Sequence, residues 1–373
     1  MHLAQLRLHN FRSYQQVTLL PPDGVTIIVG ENGAGKTNLL EAIHLCCLGR
    51  SHRTSSDQDM IRLGQETCGV HARVKRQNGM DEVGVRLFQQ QKQKKLIYVN
   101  GKTVPRIGEL MGHMTCVMFS PEDTDIIKGG PQGRRRYLDM LLSQCLPAYF
   151  YSLQHYNNIL KQRNALLRSI ARDGSDPAQM PAWDEQLALA CAPVVRARRQ
   201  AVARLDDLSR EHYAFISGKE EERLQLEYQG SLKDSANPQD DLLSLLRLGF
   251  ADDLRRMTTN CGPHRDDILI QLNAQEIRAF GSQGQIRTAV LAMRLAEIDI
   301  LTKAQGEAPL LLLDDVLSEL DMGRRSRLIM HLQRVQTLIT CTDLSDVDSV
   351  QSACVLRVQD GQISQETQAN TEG

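Results

Sequence analysis

The sequence predicts an α/β fold interrupted by a long helical insertion, and three observations lead to that reading. Residues 25–48 run as a β-branched segment, a glycine-rich turn and a helical pattern. Residues 310–315 are four leucines followed by two aspartates. Between these two blocks the chain is mostly helical over 134–256. The expected division is therefore 1–133 and 257–373 as the two parts of one α/β body, with 134–256 inserted between them.

Taken in order, Leu6 and Leu8 alternate with Arg7 and His9, the period of a half-buried strand before Phe11. Val25–Val29 is a short apolar run ending at Gly30, as a buried strand would. Leu39, Leu40, Ile43, Leu45 and Leu48 give Lys36–Leu48 a helical pattern that stops at Gly49. Strand-like pieces follow at 68–74, 83–88 and 96–99, and Asn100-Gly101 is a hairpin turn into 102–104. Helical patterns occupy 137–146, 149–172 and 183–217, with Asp173 to Pro177 breaking the second from the third. At a 1.5 Å rise per residue the two longer pieces make an antiparallel arm of roughly 35 Å. Arg163, Arg168, Arg172, Arg196, Arg198, Arg199 and Arg204 lie along it and read as a solvated face. From Thr258 onward the pattern alternates again: strand at 268–272, helix at 286–301, strand at 310–313, helix at 324–333, strands at 335–340 and 353–358. The polar tail from Gln359 is expected to fray.

Composition narrows the classes. Forty-four Lys and Arg against 45 Asp and Glu, a net charge of −1, exclude a standing polycation, so any nucleic-acid contact must come from local patches. Aromatics make up only 4% of the chain, too few to suggest a base-stacking groove. Nine irregularly spaced cysteines without a C-x-x-C pair suit reduced thiols in a cytoplasmic protein rather than a disulfide framework or zinc site. Neither a signal-peptide h-region nor an 18-residue apolar stretch occurs, which argues against secretion and a membrane span.

The strongest motif is Gly30-Glu31-Asn32-Gly33-Ala34-Gly35-Lys36-Thr37, a G-x-x-x-x-G-K-[ST] run with a strand before it and a helix after it. Glycines let backbone N–H groups curl around phosphates, and the helix N-terminus adds partial positive charge. Lys36 reaches the outer phosphates of ATP, and the Thr37 hydroxyl ligates Mg²⁺. A plain glycine-rich turn is the bland alternative, and both flanks weigh against it. Leu310–Leu313 delivers Asp314 to the carboxyl edge of a buried strand, where it would hold the Mg²⁺ shell, with Asp315 beside it. Phe280-Gly281-Ser282-Gln283-Gly284-Gln285 precedes a helix; alone it reads first as an N-cap serine among turn glycines.

In this order the set resembles the ATPase head of the ABC superfamily. There a Gly/Ser signature such as Ser282, Gln283 and Gly284 contacts the ATP held by a second subunit's P-loop. Ser318-Glu319-Leu320-Asp321 then looks like the D-loop. More specific blocks narrow the resemblance to the RecF family, an SMC/ABC-type P-loop ATPase head with an inserted helical arm. They are Phe11-Arg12-Ser13-Tyr14, Asn38 to Ile43, Ser51-His52-Arg53-Thr54, Phe119 to Asp123, Arg134 to Asp139 and Gly262 to Asp267. The resemblance implies ATP-dependent homodimerisation on DNA, single- or double-stranded, at gaps or junctions. It also implies help to RecO and RecR in loading RecA, with links to replication restart and the SOS response. An SMC-like chromosome ATPase and a transporter ATPase subunit are the alternatives. The first needs far longer coiled coils, and the second rarely separates its P-loop and signature so widely.

Two departures bear on mechanism. The residue after the metal aspartate is usually Glu and here is Asp315, one methylene shorter; the usual switch His falls near Thr340 to Thr342. Both predict slow hydrolysis, because a poorly held water reacts slowly. The Gln-Gly pair of SMC heads is replaced near residue 122 by Glu122-Asp123. Arg134, Arg135 and Arg136 open a helix and are open as DNA, partner or neutral contacts, whereas His264 reads as structural. His52, Arg53 and Arg265 fall in family blocks near the expected nucleotide.

Overall fold

The computed structural model describes residues 1–90, 94–232, 236–332, 335–348, 350 and 353–366. In chain order, β1 (His2–Phe11), β2 (Tyr14–Leu19) and β3 (Val25–Val29) lead into α1 (Lys36–Leu48). Then come β4 (Thr67–Arg76), β5 (Gly79–Phe88), β6 (Lys95–Val99), β7 (Lys102–Val104) and β8 (Cys116–Phe119). Helices dominate next: α2 (Asp125–Lys128), α3 (Pro131–Cys145), α4 (Pro147–Asp173) and α5 (Met180–Ser217). β9 (Leu224–Gln229), α6 (Pro238–Leu248), α7 (Phe250–Arg256), β10 (Asp267–Leu272), β11 (Gln275–Glu276) and α8 (Ile277–Phe280) precede α9 (Gln283–Gln305). The chain closes with β12 (Leu310–Asp314), α10 (Met322–Leu332), β13 (Thr337–Cys341), β14 (Cys354–Gln359) and β15 (Gln362–Glu366).

These elements form two compact units. The first comprises the described residues of 1–123, 212–219 and 291–373; the second comprises those of 124–211 and 220–290. In the first unit one sheet, ordered β2-β1-β4-β5-β6-β7, is antiparallel throughout. The other, ordered β15-β14-β3-β13-β12-β8, is parallel except for the β14–β15 hairpin. All five residues of β3, β12 and β13 are buried, as expected of parallel strands covered on both faces. Helix α1 touches β1, β4 and β5 of the first sheet and β8, β12 and β13 of the second. Being packed from both sides, it buries eleven of its thirteen residues, including Glu41 and His44. An apolar stripe on one face would not suffice there, which is why its sequence is hydrophobic nearly all round.

The second unit joins the antiparallel sheet β11-β10-β9 to helices α2 to α4, most of α5, and α6 to α8. Its centre is ionic, and this corrects the solvated-face reading for Arg163 and Arg198, whereas Arg168, Arg172, Arg196 and Arg204 are exposed as expected. Arg163 is 0% exposed and Arg198 is 2% exposed. Arg163 donates from Nε to Asp184 and from Nη1 to Asp253 and to the Thr259 hydroxyl, each at 2.7 Å. Arg198 grips Asp139 from Nε and Nη2 and donates to the Pro263 carbonyl at 2.6 Å. Guanidinium groups are tolerated inside because fixed carboxylates meet them on several sides.

The 134–256 stretch is mostly helical as expected, but it also contains the strand β9, whose Leu224 and Leu226 face inward against β10. The tail does not fray at once: β15 pairs with β14 from Gln359↔Gln362 to Val355↔Glu366. The rest of the tail, and Gln333, lie outside the described residues. No helix among the described residues is long and apolar enough to cross a membrane.

Candidate nucleotide site

Strands β3 and β12 deliver the P-loop and the acidic pair to the same sheet edge, with β13 between them. The carboxyl edge of a parallel sheet is where open α/β folds place ligands. Gly30 and Gly35 are required by space, and Gly33 and Gly35 by backbone angle. A Cβ on Gly30 would sit 2.4 Å from the Val358 carbonyl oxygen, and Gly35 has φ 111° with Ser13 Oγ 2.7 Å from where its Cβ would be. Tyr14 donates its hydroxyl to the Gly35 carbonyl at 2.9 Å, tying the Phe11–Tyr14 block to the loop. Lys36 Nζ lies across its own loop, donating to the carbonyls of Gly30 at 2.6 Å and Glu31 at 3.1 Å. A cavity of about 570 Å³, within the range of ordinary ligand sites, is lined by Gly30, Glu31, Asn32, Gly33 and Ala34 on one side and Arg357 to Asp360 on the other. That second wall carried no sequence motif.

Thr37 and Asp314 meet as expected: the Thr37 hydroxyl donates to Asp314 Oδ1 at 2.8 Å. A hard divalent cation takes hydroxyl and carboxylate oxygens, so this pair fits Mg²⁺. Thr340, on β13 directly opposite Asp314, also donates to Asp314 Oδ1, at 2.7 Å, and accepts the Asp315 N–H at 3.0 Å. Sequence reasoning placed Thr340 only as the residue near a missing imidazole. Burial pushes the Asp314 carboxyl above the usual carboxylate range, and the two hydroxyls partly offset this. Asp315 sits in the left-handed region at φ 53°, and its Oδ1 is buried without a hydrogen-bond partner among the described residues.

The Glu122-Asp123 pair divides its roles. Asp123 is held by Arg294 through Nη2 at 2.7 Å and Nε at 3.1 Å, and it accepts the Ser120 N–H at 3.0 Å. Arg294 also binds the buried Glu297 at 2.7 Å. Asp123 is thereby structural, while the exposed Glu122 lies close enough for its charge to raise the Asp314 pKa. Beside the loop, the buried Glu41 accepts from Arg12 at 2.7 and 2.8 Å and from Ser51 at 2.5 Å, with Arg53 3.7 Å away. His52 packs edge-on against His44, ring centroids 5.1 Å apart.

Ser282, Gln283 and Gly284 belong to the second unit, at the start of α9. Ser282 and Gln285 form a reciprocal cap: Gln285 N–H donates to Ser282 Oγ at 3.2 Å, and Ser282 N–H donates to Gln285 Oε1 at 2.9 Å. Ser282 and Gln283 are nonetheless exposed. After the acidic pair, Ser318 Oγ donates to the Asp315 carbonyl at 2.8 Å, and Asp321 caps α10 by accepting the Arg324 N–H at 3.0 Å.

The remaining candidates are bound within the second unit. Arg134 forms a bidentate pair with Asp267 at 2.7 and 2.8 Å and also donates to the Gly129 carbonyl at 2.9 Å. Arg135 donates to the Asp266 carbonyl at 2.6 Å. His264 bonds Tyr156 at 2.7 Å and the Thr259 carbonyl at 3.0 Å, and burial lowers its pKa, so it is the structural histidine expected. Arg265 donates weakly to the Thr259 carbonyl at 3.4 Å.

Comparison with known proteins agrees with this geometry. The RecF/RecN/SMC N-terminal domain family matches residues 2–365. A DNA replication and repair protein RecF from Symbiobacterium thermophilum is 42% identical over 353 residues, 93% of each chain. One from Ruminiclostridium cellulolyticum is 39% identical over 358 residues, 95% of this chain and 96% of that one. The solved recombination mediator protein RecF-ATP of the RecFOR pathway superposes with a TM-score of 0.91 at 34% identity, covering 98% of both chains. The Smc head domain of Pyrococcus furiosus, with TM-score 0.57 and 16% identity over 98% of this chain and 96% of that one, shares the fold alone. Over nearly its whole length, then, this chain belongs to the RecF family of DNA replication and repair proteins.

Proposed function

We propose that this protein is an ATP-switched DNA clamp of recombinational gap repair. ATP binding drives homodimerisation on DNA at gaps or single-strand/duplex junctions, and slow hydrolysis releases the dimer. In this reading the chain works with RecO and RecR to load RecA, supporting replication restart and the SOS response. Functionally, 1–133 and 257–373 form the ATPase head and 134–256 the inserted arm. The observation that carries the reading is the meeting of Thr37, Asp314 and Thr340 beside the P-loop.

Lys36 swings from its loop carbonyls to the triphosphate, and Thr37 and Asp314 would hold Mg²⁺, which neutralises charge on the outer phosphates. A P-loop covers one side of the triphosphate only. Gly281, Ser282 and Gln283 at the start of a second copy's α9 supply donors to the other side. ATP is thus part of the interface and its cleavage dissolves it. Asp315 is short and Thr340 replaces an imidazole, so the attacking water is poorly held and turnover is slow.

A DNA partner is supported by the exposed face of the first unit's antiparallel sheet. Arg7, His71, Gly84 and Tyr98 align across four strands there, and His9, Gly69 and Arg86 across three. These residues line a concavity of about 370 Å³, and the flanking Lys75 and Arg73 add charge, Arg73 being paired with Glu82 at 3.0 Å. Phosphate contacts of this kind need no aromatic stacking groove.

The test is sedimentation together with DNA binding to duplex, single-strand and gapped substrates, with and without ATP, across a salt series. Lys36→Ala is expected to lose ATP binding; Ser282→Arg should bind ATP yet remain monomeric. A Ser282→Arg dimer in ATP, or DNA binding indifferent to ATP, refutes the clamp.

A further inference from the structure

The first unit contains a cluster that the nucleotide chemistry does not use. His212 on the last turns of α5, Asp299 on α9 and His331 on α10 offer one ligand atom each, all within 4.8 Å of one another. His212 Nε2 is 2.7 Å from Asp299 Oδ2, and the His331 ring stands edge-on to the His212 ring, centroids 5.2 Å apart at 86°. We propose that His212, Asp299 and His331 form a binding site for a first-row transition-metal ion, Zn²⁺ being the best fit, that clips α5, α9 and α10 together.

Three arguments lead there. The donor set, two imidazoles and a carboxylate, is one that zinc accepts, whereas Mg²⁺ prefers oxygen ligands. The geometry is near what coordination needs. With bonds of about 2.0–2.2 Å, tetrahedral ligand atoms lie about 3.3 Å apart. The His212–Asp299 pair at 2.7 Å must open slightly, and the widest separation, up to 4.8 Å, must close by a side-chain rotation. Access is adequate as well: the His212 side chain is 13% exposed and that of Asp299 40%, so an ion can enter and a solvent molecule can complete its shell. An ion replaces the hydrogen that neutral His212 shares with Asp299; that proton moves to Nδ1, or leaves to solvent if the ring was cationic.

The placement gives the site a consequence. α9 begins at Gln283 and α10 follows the Ser318–Asp321 turn, so an ion holding Asp299 and His331 braces two helices continuous with segments the proposed clamp uses. The site itself stands without that reading, since binding of metal alone needs neither ATP nor DNA.

The test uses the full-length protein and Zn²⁺ alone, without nucleotide, by equilibrium dialysis and calorimetry against the wild type, His331→Ala and Asp299→Asn. Subtraction removes binding by cysteines and the remaining histidines. We expect one additional ion per wild-type chain, affinity at that site weakened about tenfold or more in each variant, and a rise in melting temperature on zinc addition that both variants lack. Co²⁺ should give a visible spectrum of a four- or five-coordinate site in the wild type only. Equal zinc stoichiometry and affinity in wild type and both variants overturn the proposal, as does an octahedral Co²⁺ spectrum identical in all three. ATP binding by His331→Ala, unchanged from wild type, serves as the folding control; if that variant is unfolded, Asp299→Asn, nearly the same shape, decides.

Discussion

Thr340→Val removes one hydroxyl while keeping the volume of a side chain that is 1% exposed. Two interactions go with it: the 2.7 Å bond to the Asp314 carboxylate and the 3.0 Å bond accepted from the Asp315 N–H. A hydrogen bond to a charged group is worth about 1.5–3 kcal/mol, and an unsatisfied buried N–H costs about 1–3 kcal/mol. Relaxation toward the remaining Thr37 contact recovers part of this, so the expected loss is about 3 kcal/mol. In a body of about 200 residues that lowers the melting temperature by roughly 6–12 °C. The second effect concerns the nucleotide. When Thr37 turns to a metal ion, Thr340 is the hydroxyl still orienting Asp314, so Mg²⁺-dependent ATP affinity should fall with stability. Thr340→Ser keeps the hydroxyl and should restore most of both. Differential scanning calorimetry and nucleotide titration at fixed Mg²⁺ read the two effects separately. A Thr340→Val protein that melts within a degree of wild type and binds Mg-ATP equally well would refute the account of Asp314 as a residue held from β13.

Other expectations concern the buried ionic groups. Arg163→Leu leaves Asp184 and Asp253 facing each other in the interior and should cost about 3–5 kcal/mol by urea denaturation; adding Asp184→Asn and Asp253→Asn should recover a large part. Arg294→Leu strands Asp123 and the buried Glu297 similarly, at about 3–5 kcal/mol, and should disturb the turn at Ser120 enough to weaken ATP binding. His44 is held neutral by burial, with the His52 charge adding to the effect, its pKa lowered to about 3. Because the folded value is depressed, its stabilising contribution is complete above about pH 6.5 and is lost as pH falls toward 3. At pH 5 the loss is about 2 kcal/mol relative to pH 7.5. A His44→Gln variant, whose amide can still donate to the Arg50 carbonyl, should lack that part of the acid sensitivity; equal slopes in both proteins would exclude His44 as its source.

What was legible in the sequence is what local pattern encodes. β3, the loop and α1 follow from the contiguous residues 25–48, whose spacing, glycines and apolar content agree, and β12 follows from four leucines. Thr340 was not legible as a partner of Asp314, because strand order, not sequence distance, sets them opposite one another. Arg163 and Arg198 were misread for a related reason. A helix with scattered charges looks solvated until its acids are located, and those of Arg163 lie 21 and 90 residues away, that of Arg198 59 residues away. Asp123 and Glu122 differ only in which one faces Arg294, a choice made by the turn at Ser120. β9 had a readable signal, Leu224 and Leu226 alternating with Gln225 and Glu227, hidden by the helical patterns around it.

The position of β3 in its sheet also constrains how the protein is made. Both of its neighbours, β13 and β14, lie beyond residue 336, so the strand that carries the P-loop has no hydrogen-bonded partner until those residues have left the ribosome. At about 5–20 residues per second, the 300 residues in between take roughly 15–60 s to synthesise. Throughout that interval a buried, β-branched strand stands with both edges open, the condition under which nascent chains pair with the wrong partner. The antiparallel sheet of β1 and β4 to β7, complete by residue 104, can fold during the same interval and hold the amino-terminal segment in reserve. A chain terminated before β13 would thus carry an intact P-loop sequence and still build no nucleotide site.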